Sequence, residues 1–80
     1  MFTGEKIRLL RITRHVKQSE MARRLGISQQ RYSALENSGF ISEEKQVLIM
    51  NVLKYSMQDA QRILSVLPAM QESGRSSPHV

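Results

Sequence analysis

Apolar positions along the chain recur every three or four residues almost throughout, and two-residue alternation is missing. The pattern predicts helices and no strand. A first helix, about Thr3 to His15, sets Ile7, Leu10 and the stem of Arg14 on one side. Thr3 or Gly4 starts it, with Glu5 favourable near the positive helix end. A second begins at Lys17 or Gln18 and turns Met21, Ala22 and Leu25 inward. Gly26 follows at once and is a stop signal. Ser28 is an N-cap for a third helix, in which Tyr32, Leu35 and Glu36 face inward. Asn37, Ser38 or Gly39 ends it.

Phe40 and Ile41 form a short apolar connection. Ser42 caps a fourth helix, with Glu43 and Glu44 in its first turn and Val47, Ile49, Met50 and Leu53 on its buried side. Ser56 is the next cap, with Asp59 three residues on, as in a capping box. The fifth helix runs towards Leu67, and Pro68 lies near its end. Beyond Met70 the chain reads "QESGRSSPHV", which has too little apolar surface to offset its ordering entropy. The expected organisation is one domain over residues 1–70 and a disordered tail over 71–80.

Two short helices joined by a glycine-containing turn make a helix-turn-helix unit. Its geometry asks for a small residue where the helices cross, and Ala22 supplies it. It asks for positive φ in the turn, and Gly26 supplies that. Met21, Leu25, Ile27, Tyr32 and Leu35 wedge the helices apart, and no proline interrupts them.

Charge adds a partner class. The formal net charge is +5 over 80 residues. Residues 1–31 hold eight cationic side chains against two carboxylates, and the remainder holds four against five. The basic excess thus lies wholly in the first part of the chain and suits a polyanion, although a solvated surface explains it equally simply.

Composition removes other classes. Cysteine is absent, so no disulfide or thiolate metal site forms. His15 and His79 stand far apart without companion ligands. No apolar run approaches the ~20 residues that span a bilayer, and the charged N-terminus is unlike a signal peptide. There is no glycine-rich phosphate loop and no His–carboxylate cluster; Glu43 and Glu44 are explained as helix-start charge. The expectation is a cytoplasmic non-enzyme without cofactor, metal, membrane attachment or small-molecule substrate.

Several stretches then resemble the Cro and phage-repressor (XRE-like) helix-turn-helix proteins. They are "IRLLR" at 7–11, "VKQSEMARRLGIS" at 16–28, "QQRYSALEN" at 29–37 and "LKYS" at 53–56. The resemblance covers about Ile7 to Gln61. It implies an all-α, compact five-helix, lambda-repressor-like domain with the motif at helices 2 and 3. It also implies a sequence-specific regulator of transcription, a repressor, that binds double-stranded DNA at a pseudo-palindromic operator as a homodimer. The second motif helix would lie in the major groove.

Carried over residue by residue, Gln18 meets a phosphate and steadies the first reading side chain. Gln29 and Gln30 take the first outward positions of the recognition helix, where glutamine can bond adenine through N6 and N7. Adjacent glutamines on an isolated helix are usually just solvated. Ser33 and Ala34 are the next outward positions, and the Ala34 methyl suits a thymine methyl. Asn37 meets the backbone. Lys17, Ser28 and Arg31 flank the reading surface, the two cations as phosphate contacts. Arg23 and Arg24 are weaker candidates because the middle of helix 2 commonly faces solvent. Arg11 and Glu36 match positions that form a structural ion pair.

The chain also departs from the family. His15 stands where glycine is common, Lys17 replaces the usual N-cap, and the loop "SGFIS" lacks basic residues. In helix 5 an apolar stripe continues beyond what the compact fold needs. Ile63, Leu64 and Leu67 on it are the expected dimer interface, with Leu48 and Val52 as secondary candidates. The alternative reading is a protein-interaction module of the same fold, an antitoxin, phage or mobile-element accessory protein whose helix 5 binds another protein.

Overall fold

Hydroxyl side chains start four of the five helices. The computed structural model describes the backbone of residues 3–76 and the side chains of residues 3–66. Its elements are α1 (Gly4–Thr13), α2 (Gln18–Leu25), α3 (Gln29–Glu36), α4 (Glu43–Leu53) and α5 (Met57–Ser76). Thr3 Oγ1 accepts from Lys6 N at 3.3 Å, Ser28 Oγ from Arg31 N at 3.2 Å, Ser42 Oγ from Lys45 N at 3.3 Å and Ser56 Oγ from Asp59 N at 3.1 Å. Each such cap contributes about 1 kcal/mol. α2 is the exception: it begins on Lys17 with no side-chain cap bond.

Three helix ends share one closure. A residue one or two past the helix takes positive φ, its N–H bonds the carbonyl three back, and the next N–H bonds the carbonyl five back. After α2 this is Gly26 (φ 72), with Gly26 N to Arg23 O at 3.2 Å and Ile27 N to Ala22 O at 3.0 Å. After α1 it is His15 (φ 58), and after α4 it is Lys54 (φ 62). The corresponding bonds run from Val16 N to Arg11 O at 3.3 Å and from Tyr55 N to Met50 O at 3.0 Å. Only one of the three positions has the residue type that suits this backbone without strain.

α1 lies at the centre, against α3, α4 and α5, while α2 packs on α3 and α4. Ile7 and Leu10 meet Met21, Ala22, Tyr32, Ile41, Ile49, Met50, Leu53 and Ala60 in one core. Among the described residues there are helices and no strands.

The inner face of α4 differs from the expected one. Val47 is 46 % exposed, and Gln46 is buried in its place. Gln46, Ile49, Met50 and Leu53 make a regular i, i+3, i+4, i+7 stripe. A polar residue fits there because its amide donates to Ile41 O at 2.7 Å and so is satisfied.

The α5 expectation needs correction in two respects. Leu64 is 7 % exposed and belongs to the chain's own core, with Ile63 half-buried against it. Ala60 and Leu64 lie one turn apart on the inward stripe of α5, so folding already covers Leu64. Side-chain placement of Leu67 lies outside the described residues. The helix also continues past Pro68 to Ser76, into the stretch expected as a tail. A proline removes one backbone bond and crowds the preceding turn, a local cost that the good helix formers Ala69, Met70, Gln71 and Glu72 partly offset.

Candidate nucleic-acid interface

α2, the turn at Gly26 to Ser28, and α3 make the helix-turn-helix. Ala22 is buried at the crossing, and the Tyr32 ring is fully buried behind α3. The opposite side of α3 faces solvent. Gln29, Gln30, Arg31, Ala34 and Asn37 are exposed there, Ser33 is half-buried, and Lys17 is exposed at the start of α2. This side carries amides, a hydroxyl, a methyl and a cation, with no carboxylate. It can therefore donate to and accept from base edges without repelling a phosphate backbone.

Ser28 is exposed, but its oxygen is already engaged as the α3 cap. Asn37 closes α3 through its backbone N–H to Ser33 O at 3.1 Å, leaving its side chain outside the helix hydrogen bonds. Arg23 and Arg24 are both tied to Glu20, with Arg24 Nε 2.7 Å from Glu20 Oε2. The hydrogen bonds from Arg23 and Arg24 hold the Glu20 carboxyl down to about 2. One carboxylate thus holds two of the most conspicuous cations in place and offsets one of their two charges.

Beneath α3 lies a charged network. Arg11 Nε donates to Glu36 Oε2 at 2.6 Å, and Arg11 Nη2 to Glu36 Oε1 at 3.2 Å. Arg11 Nη1 donates to Val16 O at 2.8 Å. Gln18 Nε2 donates to Glu36 Oε1 at 2.8 Å. In this structure, then, the Gln18 amide turns to the protein, where the family pattern had suggested a phosphate. Burial pushes the Glu36 carboxyl up, but the bonds from Arg11 and Gln18 and the guanidinium charge outweigh it and hold it below its ordinary value. Burial pushes the Tyr32 phenol up, and Glu36 adds to this. The Tyr32 hydroxyl has no hydrogen-bond partner among the described residues.

Two supports of α3 and α4 had no legible signal. Gly4 packs so tightly on the end of α3 that a Cβ there would come within 2.5 Å of Glu36 O and nearer still to Leu35 O. Gly4 N also donates to Ser38 O at 2.9 Å. Arg14 grips the end of α4, with Nε to Leu53 O at 2.9 Å and Nη2 to Lys54 O at 3.1 Å, and its guanidinium stacks 3.9 Å above the Tyr55 ring. A hydrogen bond between Thr13 and Tyr55 hydroxyls, 2.6 Å long, joins the same corner.

Among the described residues no cluster of His, Asp and Glu is arranged to hold a metal ion, and no helix is long and apolar enough to cross a membrane.

A glycine-closed pair of crossing helices, with a polar outward face on the second, defines the helix-turn-helix class. A helix-turn-helix family model matches residues 7–60, and the chain belongs to that family, the XRE/Cro type. It is a family of DNA-binding, non-enzymatic regulators. No curated protein and no solved structure matches the chain.

Proposed function

We propose that the chain is a sequence-specific regulator of transcription, a repressor, that reads double-stranded DNA by laying α3 in the major groove. The observation that carries this reading is the outward face of α3. Gln29, Gln30 and Ala34 are exposed on a helix whose other side is fixed by the fully buried Tyr32 and by Glu36. Gln29 and Gln30 are the base readers, with Ser33 and Ala34 beside them. Lys17, Arg31 and Asn37 meet the backbone, and Gln18 offers the phosphates whatever Glu36 leaves free. Salt-sensitive attraction comes from the basic first part of the chain.

The active species is a homodimer on a pseudo-palindromic operator, because two-fold pairing sets two copies of α3 about one helical turn, ~34 Å, apart. Apolar surface available for pairing includes Val66 and the uncovered part of Ile63 on α5, and Val47 and Leu48 on α4. Selection of bound fragments from random DNA tests the reading. A two-fold consensus with a fixed half-site spacing is expected. Recovery of no enriched sequence would overturn it.

A second reading, a protein-binding module, draws support from an open groove of about 250 Å³ between α3 and α4, floored by Leu35, Leu48 and Ile49. Absence of both operator-preferring and salt-sensitive non-specific DNA binding favours this reading over the first.

A further inference from the structure

Gln18 is half-buried at the start of α2, and one of its amide edges is spoken for. Nε2 donates to Glu36 Oε1 at 2.8 Å, the oxygen that also accepts from Arg11 Nη2 at 3.2 Å. Glu36 is 5 % exposed, and its other oxygen accepts from Arg11 Nε at 2.6 Å. A carboxylate locked to a guanidinium can only accept. With the Gln18 amide turned over, carbonyl oxygen would face carboxylate oxygen with no proton between them. The two amide orientations are almost identical in shape. The charge on Glu36 therefore selects between them.

We propose that Glu36 is a positioning residue for DNA readout: its buried carboxylate holds the Gln18 amide with Nε2 inward and so fixes which atoms Gln18 turns outward. Those atoms are Oε1 and the remaining N–H. One acceptor and one donor differ chemically from the pair of donors that a reversed amide would offer. The remaining N–H suits a phosphate oxygen, and Oε1 accepts from a neighbouring side-chain donor. Helix register places such donors on the same stripe, Ser33 one turn and Gln29 two turns from Glu36. Glu36, Ser33 and Gln29 stand at i, i−3 and i−7 on one stripe of α3, so an amide seated on Glu36 borders the reading face. Glutamine and serine both present different patterns to a base according to which way their own donors are drawn. A fixed acceptor beside them removes one of their alternatives.

The inference rests on the DNA-binding reading, and its test separates the two. The specificity ratio, affinity for the selected operator over affinity for random duplex at one salt concentration, is measured for wild type, Glu36→Gln, Gln18→Ala and the double variant. Glutamine at position 36 keeps the shape but can meet either amide orientation. The expected result is a tenfold or greater fall in the ratio for Glu36→Gln and no further effect of it in the Gln18→Ala background. A merely structural Glu36 lowers both affinities together. An unchanged ratio, or an equal loss in both backgrounds, overturns the inference and leaves the function standing. A wild type without any sequence preference overturns the function, and the readout role with it.

A second measurement needs no variant to fold. In DNA-free wild type, the Gln18 side-chain NH2 should exchange with water at least tenfold more slowly by NMR than those of Gln29 and Gln30. Equal exchange overturns the inference.

Discussion

Arg11 Nε lies 2.6 Å from Glu36 Oε2, so the last turn of α1 holds the last residue of α3. Their side chains are 12 % and 2 % exposed. Removing one partner leaves the other buried and unpaired, which costs about 3 kcal/mol or more. Glu36→Ala should therefore lower the melting temperature by roughly 10–20 °C. Thermal unfolding by circular dichroism measures this, and an unchanged melting temperature would remove the structural role.

Acid should expose the same pair. The folded Glu36 carboxyl titrates below its ordinary value, so its contribution is complete above about pH 5 and is lost as pH falls through the lower folded value. Glu20 is shifted the same way, but it is solvent-screened and contributes less. In denaturant melts taken between pH 6 and pH 2, wild-type stability should fall more steeply than that of Glu36→Gln. Parallel curves would contradict the coupling.

Gly4→Ala should be as damaging as a core substitution, although Gly4 starts a helix. The new methyl meets backbone carbonyls of Leu35 and Glu36, which cannot swing aside as a side chain could. A loss of about 2–3 kcal/mol is expected. Operator affinity should fall with it, since relief requires α3 to shift. Urea denaturation and DNA titration of the same preparation check both.

The three helix closures predict opposite signs for glycine. Gly26→Ala has room for its methyl but must hold φ 72, and should cost about 1 kcal/mol. His15→Gly and Lys54→Gly relieve strain at φ 58 and φ 62. Each should gain about 0.5–1 kcal/mol, the relief being partly offset by the freer unfolded chain. A rise in the urea midpoint at constant slope is the expected signature.

Base and backbone contacts should separate in binding assays. Gln29→Ala with Gln30→Ala should lower operator preference by one to two orders of magnitude while changing random-duplex affinity little. Lys17→Ala or Arg31→Ala should weaken all sequences alike and reduce the salt slope by about 1. The reverse pattern would exchange the roles assigned to them.

The spacing of apolar residues carried the helix order, and serine hydroxyls marked most of the starts. Ala22, Gly26 and Tyr32 sit in the motif as expected. Legibility failed where a residue's environment comes from far along the chain. Gln46 looks like a surface residue until the Ile41 carbonyl is beside it, and Gly4 looks incidental until the end of α3 rests on it. Leu64 seemed spare because helix spacing says which residues share a face, but not how far a neighbouring helix covers that face. The outward glutamines were legible because the motif fixes which side of α3 is free. The bond from Gln18 to Glu36 was not, since it depends on the rotamer of one amide.

Leu64, at 7 % exposure, also bears on assembly. A chain that spends this side chain on its own interior does not hold it in reserve for a second copy. The proposed pairing would then follow folding and use the surface that folding leaves exposed, and the thermal midpoint of protein too dilute to pair should not drift with concentration. Under the proposed pairing, expression level alone would shift the balance between single and paired copies without leaving unfolded protein behind.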